Sequence, residues 1–236
     1  MKILPAIDLM NKKCVRLKKG DFSQSKIFNE DPIQQAKIFE QSGSKYIHIV
    51  DLDGAKEGKP VNIEIIKQIK KFTNLYVECG GGIRSLETAS EYLNNGINNI
   101  IIGSLLFKNK KLVIDIINNF GMEKVTAGID FLDNQVKISG WLEDSKIELD
   151  YAIQYINEIG LKRLIVTDIN KDGMLQGPNI EVFKKLRKLF NGELIASGGI
   201  STINDLKILK EIEVDGVIIG MALYENKIDL KEALKI

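Results

Sequence analysis

The 236-residue chain holds one histidine, His48, two cysteines, Cys14 and Cys79, one tryptophan, Trp141, and four prolines. A single histidine excludes a metal centre built on several imidazoles and leaves side-chain acid–base chemistry to carboxylates. Two distant cysteines make neither a disulfide framework nor a zinc cluster. Long apolar runs are missing as well. The longest nearly pure one, Ile100 to Phe107, is far short of the ~20 residues that span a bilayer. The opening residues Met1 to Asp8 meet Pro5 and Asp8 before a signal-peptide core could form. Nor does one sign of charge prevail: 33 basic and 32 acidic side chains leave +1, so nucleic acid or a membrane surface is not expected as a partner. With 44% hydrophobic residues, the expectation is a soluble, cytoplasmic globular protein.

What the chain does have is rhythm. Nearly continuous apolar runs, the pattern of parallel strands covered on both faces, occur at Lys2–Ile7, Tyr46–Val50, Leu75–Glu78, Asn99–Ile102, Val125–Ile129, Arg163–Val166, Glu193–Ala196 and Gly216–Ile219. Amphipathic segments alternate with them. The first starts at Asp31-Pro32, a cap followed by a first-turn proline, and closes at Gly43. Others fall at Asn62–Lys71, Ser85–Asn95, Lys110–Asn119, Leu149–Ile159, Asn179–Leu189, Thr202–Lys210 and Ile228–Leu234. Eight strand–helix units predict an α/β fold, a (β/α)8 TIM barrel of one domain over residues 1–236. Two inserts, Asn11–Lys26 and Asp133–Trp141, follow the first and fifth strands, on the face where such barrels carry their sites.

The chain also resembles itself. Asn62-Ile63-Glu64 recurs 117 positions later as Asn179-Ile180-Glu181, Gly81-Gly82-Ile83 as Gly198-Gly199-Ile200, Ile102-Gly103 as Ile219-Gly220, and Asp51 as Asp168. Ile7-Asp8 matches Ile129-Asp130 at 122 positions. Two half-barrels, approximately 1–122 and 123–236, related by an internal two-fold axis, account for these matches.

Gly80-Gly81-Gly82-Ile83-Arg84 follows the third strand and Ser197-Gly198-Gly199-Ile200-Ser201 the seventh; Gly103-Ser104 and Gly220-Met221 follow the fourth and eighth. Glycines let the backbone approach an anion, and the loops after strands seven and eight of a barrel often hold phosphate. Tight turns alone would also use glycine, but two related pairs favour two phosphate sites and an elongated bisphosphate substrate. Asp8 and Asp130 occupy equivalent strand ends and are candidate general acid and base; a loop-capping role is the alternative for each. Asp51, Asp53, Asp168 and Asp172 read as turn-formers or hydrogen-bond organisers. Thr167 suits either a substrate hydroxyl or an ordinary loop. His48 is a hydrogen-bonded interior residue or a substrate contact, and Trp141 a packing residue or a stacking platform for a planar heterocycle. Arg16 and Arg84 are candidate clamps for phosphate or amide.

Together, Ala6-Ile7-Asp8-Leu9, Val15-Arg16-Leu17, His48-Ile49-Val50-Asp51-Leu52-Asp53-Gly54-Ala55, Gly80–Arg84, Gly128-Ile129-Asp130, Gly140-Trp141, Thr167-Asp168, Lys171-Asp172-Gly173, Gly177-Pro178-Asn179 and Ser197–Ser201 resemble the ProFAR isomerase family of histidine biosynthesis over essentially the whole chain. The resemblance implies an Amadori rearrangement of the aminoaldose ProFAR to the aminoketose PRFAR, with no metal and no cofactor. It implies that Asp130 protonates the furanose oxygen, that Asp8 takes the C2′ proton, that Thr167 orients the ribose, and that Trp141 stacks on the imidazole. It adds Asp172 and Gly173 to the candidate binding residues. Departures are the absence of a glycine in Asp8–Lys13, Met174 in place of a frequent threonine, and Met221 in place of a commonly basic residue.

Other readings share these motifs. They are the sister imidazole-glycerol-phosphate cyclase, a dual isomerase that also takes phosphoribosylanthranilate, a non-catalytic phosphosugar-binding barrel, and a flavin-dependent barrel. A barrel with complete ends and outer helices has the monomer as its default state.

Overall fold

Eight strands pair in sequence order in the computed structural model, which describes residues 1–18, 20–141 and 143–236. They are β1 (Lys2–Met10), β2 (Tyr46–Asp51), β3 (Tyr76–Gly80), β4 (Asn99–Ile102), β5 (Val125–Leu132), β6 (Arg163–Asp168), β7 (Glu193–Ser197) and β8 (Gly216–Ile219). Each runs parallel to the next, and β8 returns to β1 with Lys2 opposite Gly216 and Pro5 opposite Ile219, which closes a (β/α)8 barrel.

The helices are α1 (Pro32–Gln41), α2 (Leu52–Glu57), α3 (Ile63–Phe72), α4 (Leu86–Asn94), α5 (Ser104–Lys108), α6 (Lys110–Phe120), α7 (Leu149–Ile159), α8 (Ile180–Leu189), α9 (Ile203–Glu211), α10 (Met221–Tyr224) and α11 (Leu230–Ala233). Their ends follow local chemistry. The Asp31 carboxylate accepts from the Ile33 and Gln34 amides at 2.9 and 3.0 Å and starts α1. Thr202 and Asp205 cap each other's backbone at the start of α9. The short α2, α5 and α10 follow β2, β4 and β8 directly, where the sequence pattern predicts only loops. Among the described residues no helix is long and apolar enough to cross a membrane.

Residues of alternate parity on each strand face opposite ways. Outward, Ile47, Ile49, Val77, Leu164, Leu194 and Val217 pack against the helices in the larger core. Inward, Leu4, Ala6, Ile165, Ile195 and Ile218 form a smaller apolar cluster on β1 and β6–β8. An ionic column runs beside it. Glu78 on β3, fully buried, meets His48 on β2 and Arg163 on β6; Arg163 meets Glu193 on β7, and Glu193 meets Lys2 on β1.

Both inserts are β-ribbons rather than loops. The first contains strands at Lys13–Lys18 and Asp21–Asn29, the second at Gln135–Ile138 and Glu143–Glu148. Consequently β1 and β5 run three residues past the ends that the apolar pattern predicts, because Asp8–Met10 and Asp130–Leu132 pair antiparallel with the ribbons. Each strand turns into its ribbon through two left-handed residues: Asn11 and Lys12 (φ 50° and 63°), and Asp133 and Asn134 (φ 49° and 66°). Asn and Asp tolerate that conformation better than most side chains. Lys12 is held in it by its own amide, which donates to Asn62 Oδ1 at 3.2 Å.

Candidate active site

The two aspartates sit where a barrel strand becomes a ribbon arm. Asp8 lies opposite Val50 on the barrel side and Val15 on the ribbon side. Asp130 likewise lies between Thr167 of β6 and Lys137 of the second ribbon. Strand neighbours on both sides fix the two backbones. Both side chains face one cavity of about 230 Å³ at the C-terminal mouth of the barrel.

Their surroundings differ. Asp8 Oδ2 lies 2.9 Å from the NH1 nitrogen of Arg16, a guanidinium only 7% exposed. The contact is ionic only: the NH1 protons are not directed at Asp8, and no acceptor among the described residues receives them. Asp130 has no such cation pair among the described residues. Its Oδ2 accepts from Trp141 Nε1 at 2.7 Å, and its carboxyl also hydrogen-bonds Thr167. Burial holds the Asp130 carboxyl above the usual carboxylate range, and those two hydrogen bonds and His48 draw it partly back. Similar strand positions therefore carry unlike carboxyl groups, the arrangement that lets one donate a proton while the other accepts.

His48 faces the same cavity, its Nδ1 held 2.6 Å from Glu78 Oε1. Glu78 is bound on its other oxygen by Arg163, which also donates to Thr126 Oγ1 at 2.9 Å. The histidine ring is thus oriented from behind by a buried ion column.

The glycine loops take the shape that an anion cradle needs. Gly81 and Gly198 have φ of +104° and +95°. A β-carbon at either position would fall on the carbonyl oxygen of Asp51 or Asp168, because the neighbouring βα loop passes directly beneath. Those two aspartates organise the loops as the sequence suggests. Asp51 accepts from the amides of Gly54, Val61 and Asn62 and from Asn62 Nδ2, at 2.7–2.9 Å. Asp168 accepts from the Asn170 amide at 2.9 Å and Asn179 Nδ2 at 2.8 Å.

The predicted site residues come together in two connected spaces. Gly81, Gly82, Arg84, Gly103 and Ser104 border the main cavity with Thr167 and Trp141. Arg84 is turned to the Ala55 carbonyl at 3.2 Å, and Ser104 Oγ accepts from the Ser139 amide at 2.8 Å. Trp141 ends a run of three left-handed residues that begins at Ser139, and its ring lies over Gly20, where any side chain would collide with it. Gly173, Gly198, Gly199, Gly220 and Met221 border a smaller cavity. Arg16 and Asp172 border both cavities. Burial pushes the Asp172 carboxyl up to about 6, with Arg16 opposing and Asp8 and Asp130 reinforcing the rise.

Sequence reasoning missed Glu78, Arg163 and Lys137. Lys137 borders the main cavity and pairs with Asp144 at 3.3 Å. The available signal was a charged residue interrupting an apolar strand, which marks Glu78 and Arg163 as interior groups in need of partners.

Comparison with known proteins agrees with this architecture. A family model described as "Histidine biosynthesis protein" matches residues 2–229. A Caldicellulosiruptor saccharolyticus protein named 1-(5-phosphoribosyl)-5-((5-phosphoribosylamino)methylideneamino)imidazole-4-carboxamide isomerase is 52% identical over 236 residues, all of both chains. Proteins of the same name from Clostridium botulinum (47% over 237 residues, 100% of this chain and 97% of that one) and Leuconostoc mesenteroides (43% over 231 residues, 98% and 97%) are similar throughout. With a closed (β/α)8 barrel, two carboxylates at its mouth and a family match over almost its whole length, the chain belongs to the histidine biosynthesis protein family.

Proposed function

We propose that the chain is the isomerase that its relatives' name describes, converting the aminoaldose ProFAR to the aminoketose PRFAR by carboxylate acid–base catalysis, with Asp130 as acid and Asp8 as base. The observation that carries the assignment is the pair of unlike carboxyl groups facing one cavity: Asp130 buried and raised, Asp8 paired with a cation. The relatives' printed name contains two 5-phosphoribosyl groups, which suits a mouth with two glycine cradles.

Asp130 gives its proton to the furanose ring oxygen, and the C1′–O bond breaks as C1′ and nitrogen form a protonated Schiff base. Asp8 removes the C2′ proton, and that electron pair forms the C1′–C2′ double bond of an enolamine while the nitrogen is neutralised. The Asp130 carboxylate then takes the C2′ hydroxyl proton as Asp8 returns its proton to C1′, which gives the ketone and restores both groups. Thr167, opposite Asp130 in register, orients the ribose, and Trp141 caps the mouth and offers a face to the imidazole.

The test is turnover of ProFAR by purified protein, without ammonia or glutamine. Conversion to PRFAR is expected, and kcat should fall by about 10²–10⁴ in Asp8→Asn and in Asp130→Asn while the bisphosphate still binds. Tight binding without conversion in the unaltered protein would remove the isomerase reading. PRFAR with ammonia would then test the cyclase.

A further inference from the structure

We propose that Arg16 couples a phosphate in the Gly198–Gly199–Gly220 cradle to release of the carboxylate of Asp8, so that the non-reacting end of the substrate switches on the base. The inference rests on the function proposed above and adds a role that links two parts of the site.

Three observations carry it. First, Arg16 borders both the cavity that holds the two aspartates and the smaller one between Gly198, Gly199 and Gly220. Secondly, its guanidinium lies directly against Gly220, so that even a methyl group there would coincide with its NH2 nitrogen. The floor of the cradle is therefore partly the arginine itself. Thirdly, NH1 is buried and 2.9 Å from Asp8 Oδ2, yet makes no hydrogen bond to any described residue. The arginine's charge is met by Asp8 but its NH1 protons are not, which leaves buried donors free for an anion.

A phosphate dianion is that anion. Its oxygens match the guanidinium fork and carry more charge than one carboxylate, so Arg16 moves its donors to the phosphate and its ionic hold on Asp8 weakens. A carboxylate that loses a neighbouring cation becomes a better proton acceptor. Asp172 stands beside the same guanidinium, its carboxyl already high, and takes up a proton more readily when the dianion arrives, which limits the local build-up of negative charge. Binding energy from a group remote from C2′ is thereby expressed at C2′.

The experiment uses two substrate analogues, each ProFAR lacking one of its phosphates, with inorganic phosphite added as the missing dianion. With unaltered protein, phosphite should raise kcat/KM for one analogue by about 10- to 100-fold, the scale of ordinary coupling between sites. Arg16→Met should abolish that activation, Arg16→Lys should keep a fraction of it, and Arg84→Met should leave it in place for that analogue. Arg16→Lys keeps the charge that Asp8 and Asp172 face, so it serves if Arg16→Met fails to fold. Turnover of intact ProFAR without phosphite activation of either analogue overturns the coupling and leaves the isomerase standing. Activation that survives in Arg16→Met or is complete in Arg16→Lys also overturns it. No turnover of ProFAR by unaltered protein overturns the function itself.

Discussion

The two glycine cradles are alike in backbone and differ in how their arginines are held. Gly103 has φ −106° and ψ −95°, and Gly220 has φ −106° and ψ −96°. Their arginines share nothing. Arg84 lies at the surface, donating to the Ala55 carbonyl outside its cradle. Arg16 is buried, sits on Gly220, and touches Asp8. On the proposed reading, the first cradle only holds a phosphate, while the second also reports it to Asp8. The two like frames differ because one arginine comes from the loop of its own cradle and the other from the first ribbon.

The sharpest way to break that contrast is to remove each cation in turn. Arg16→Met removes a phosphate contact and leaves Asp8 permanently released, so it is expected to raise KM for ProFAR by about 10²-fold with kcat kept, whereas Arg84→Met raises KM by about tenfold or less. Steady-state kinetics on both variants decides it; equal effects would erase the distinction. The glycines give a finer comparison. A methyl at Gly220 meets Arg16, while one at Gly103 would have its nearest neighbour, the Gly128 carbonyl oxygen, 3.4 Å away. Gly220→Ala should thus cost about 10- to 100-fold in kcat/KM through displacement of the guanidinium, and Gly103→Ala only a few-fold.

Loop organisation differs in the same direction as bond number. Asp51 accepts four hydrogen bonds and Asp168 two through their side chains. Asp51→Asn is expected to destabilise the fold by about 2 kcal/mol and Asp168→Asn by about 1, measured as the shift in urea unfolding. The smallest effect concerns the acid. As the proposed acid, Asp130 would act only while protonated, so activity is expected to fall as pH rises through its pKa. Trp141 draws that pKa down with its hydrogen bond. Trp141→Phe should move the alkaline fall of kcat to higher pH by a few tenths of a unit to about one unit. A pH–rate profile that stays in place would mean the indole does not act on Asp130 during turnover.

The barrel was legible because each strand is an apolar run beginning near where the structure begins it. The ribbons were not. Lys13–Lys18 and Asp21–Asn29 are polar-rich without a clean two-residue alternation, and their partners are each other and a strand end rather than a core, so periodicity alone reads no strand there. The helix at Leu52–Glu57 was hidden for a similar reason: Asp53 and Gly54 carry turn chemistry, and only the Asp51 carboxylate on the Gly54 amide makes them a capped helix. In the site, glycines and strand-end aspartates stood out by position. The Arg16–Asp8 contact and the Glu78–His48–Arg163 column did not, because each joins residues from different strands whose side chains meet only in three dimensions.

That column bears on how the chain can fold. Its charges come from β1, β2, β3, β6 and β7, so no run of consecutive strands short of nearly the whole barrel contains every partner. A chain folded only as far as β4 would hold Glu78 beside His48 without Arg163, the cation that meets its other oxygen. Such a fragment is penalised as it forms. Closure of the ring brings Lys2 of β1 to Glu193 of β7, so the column is electrically complete only in the closed barrel.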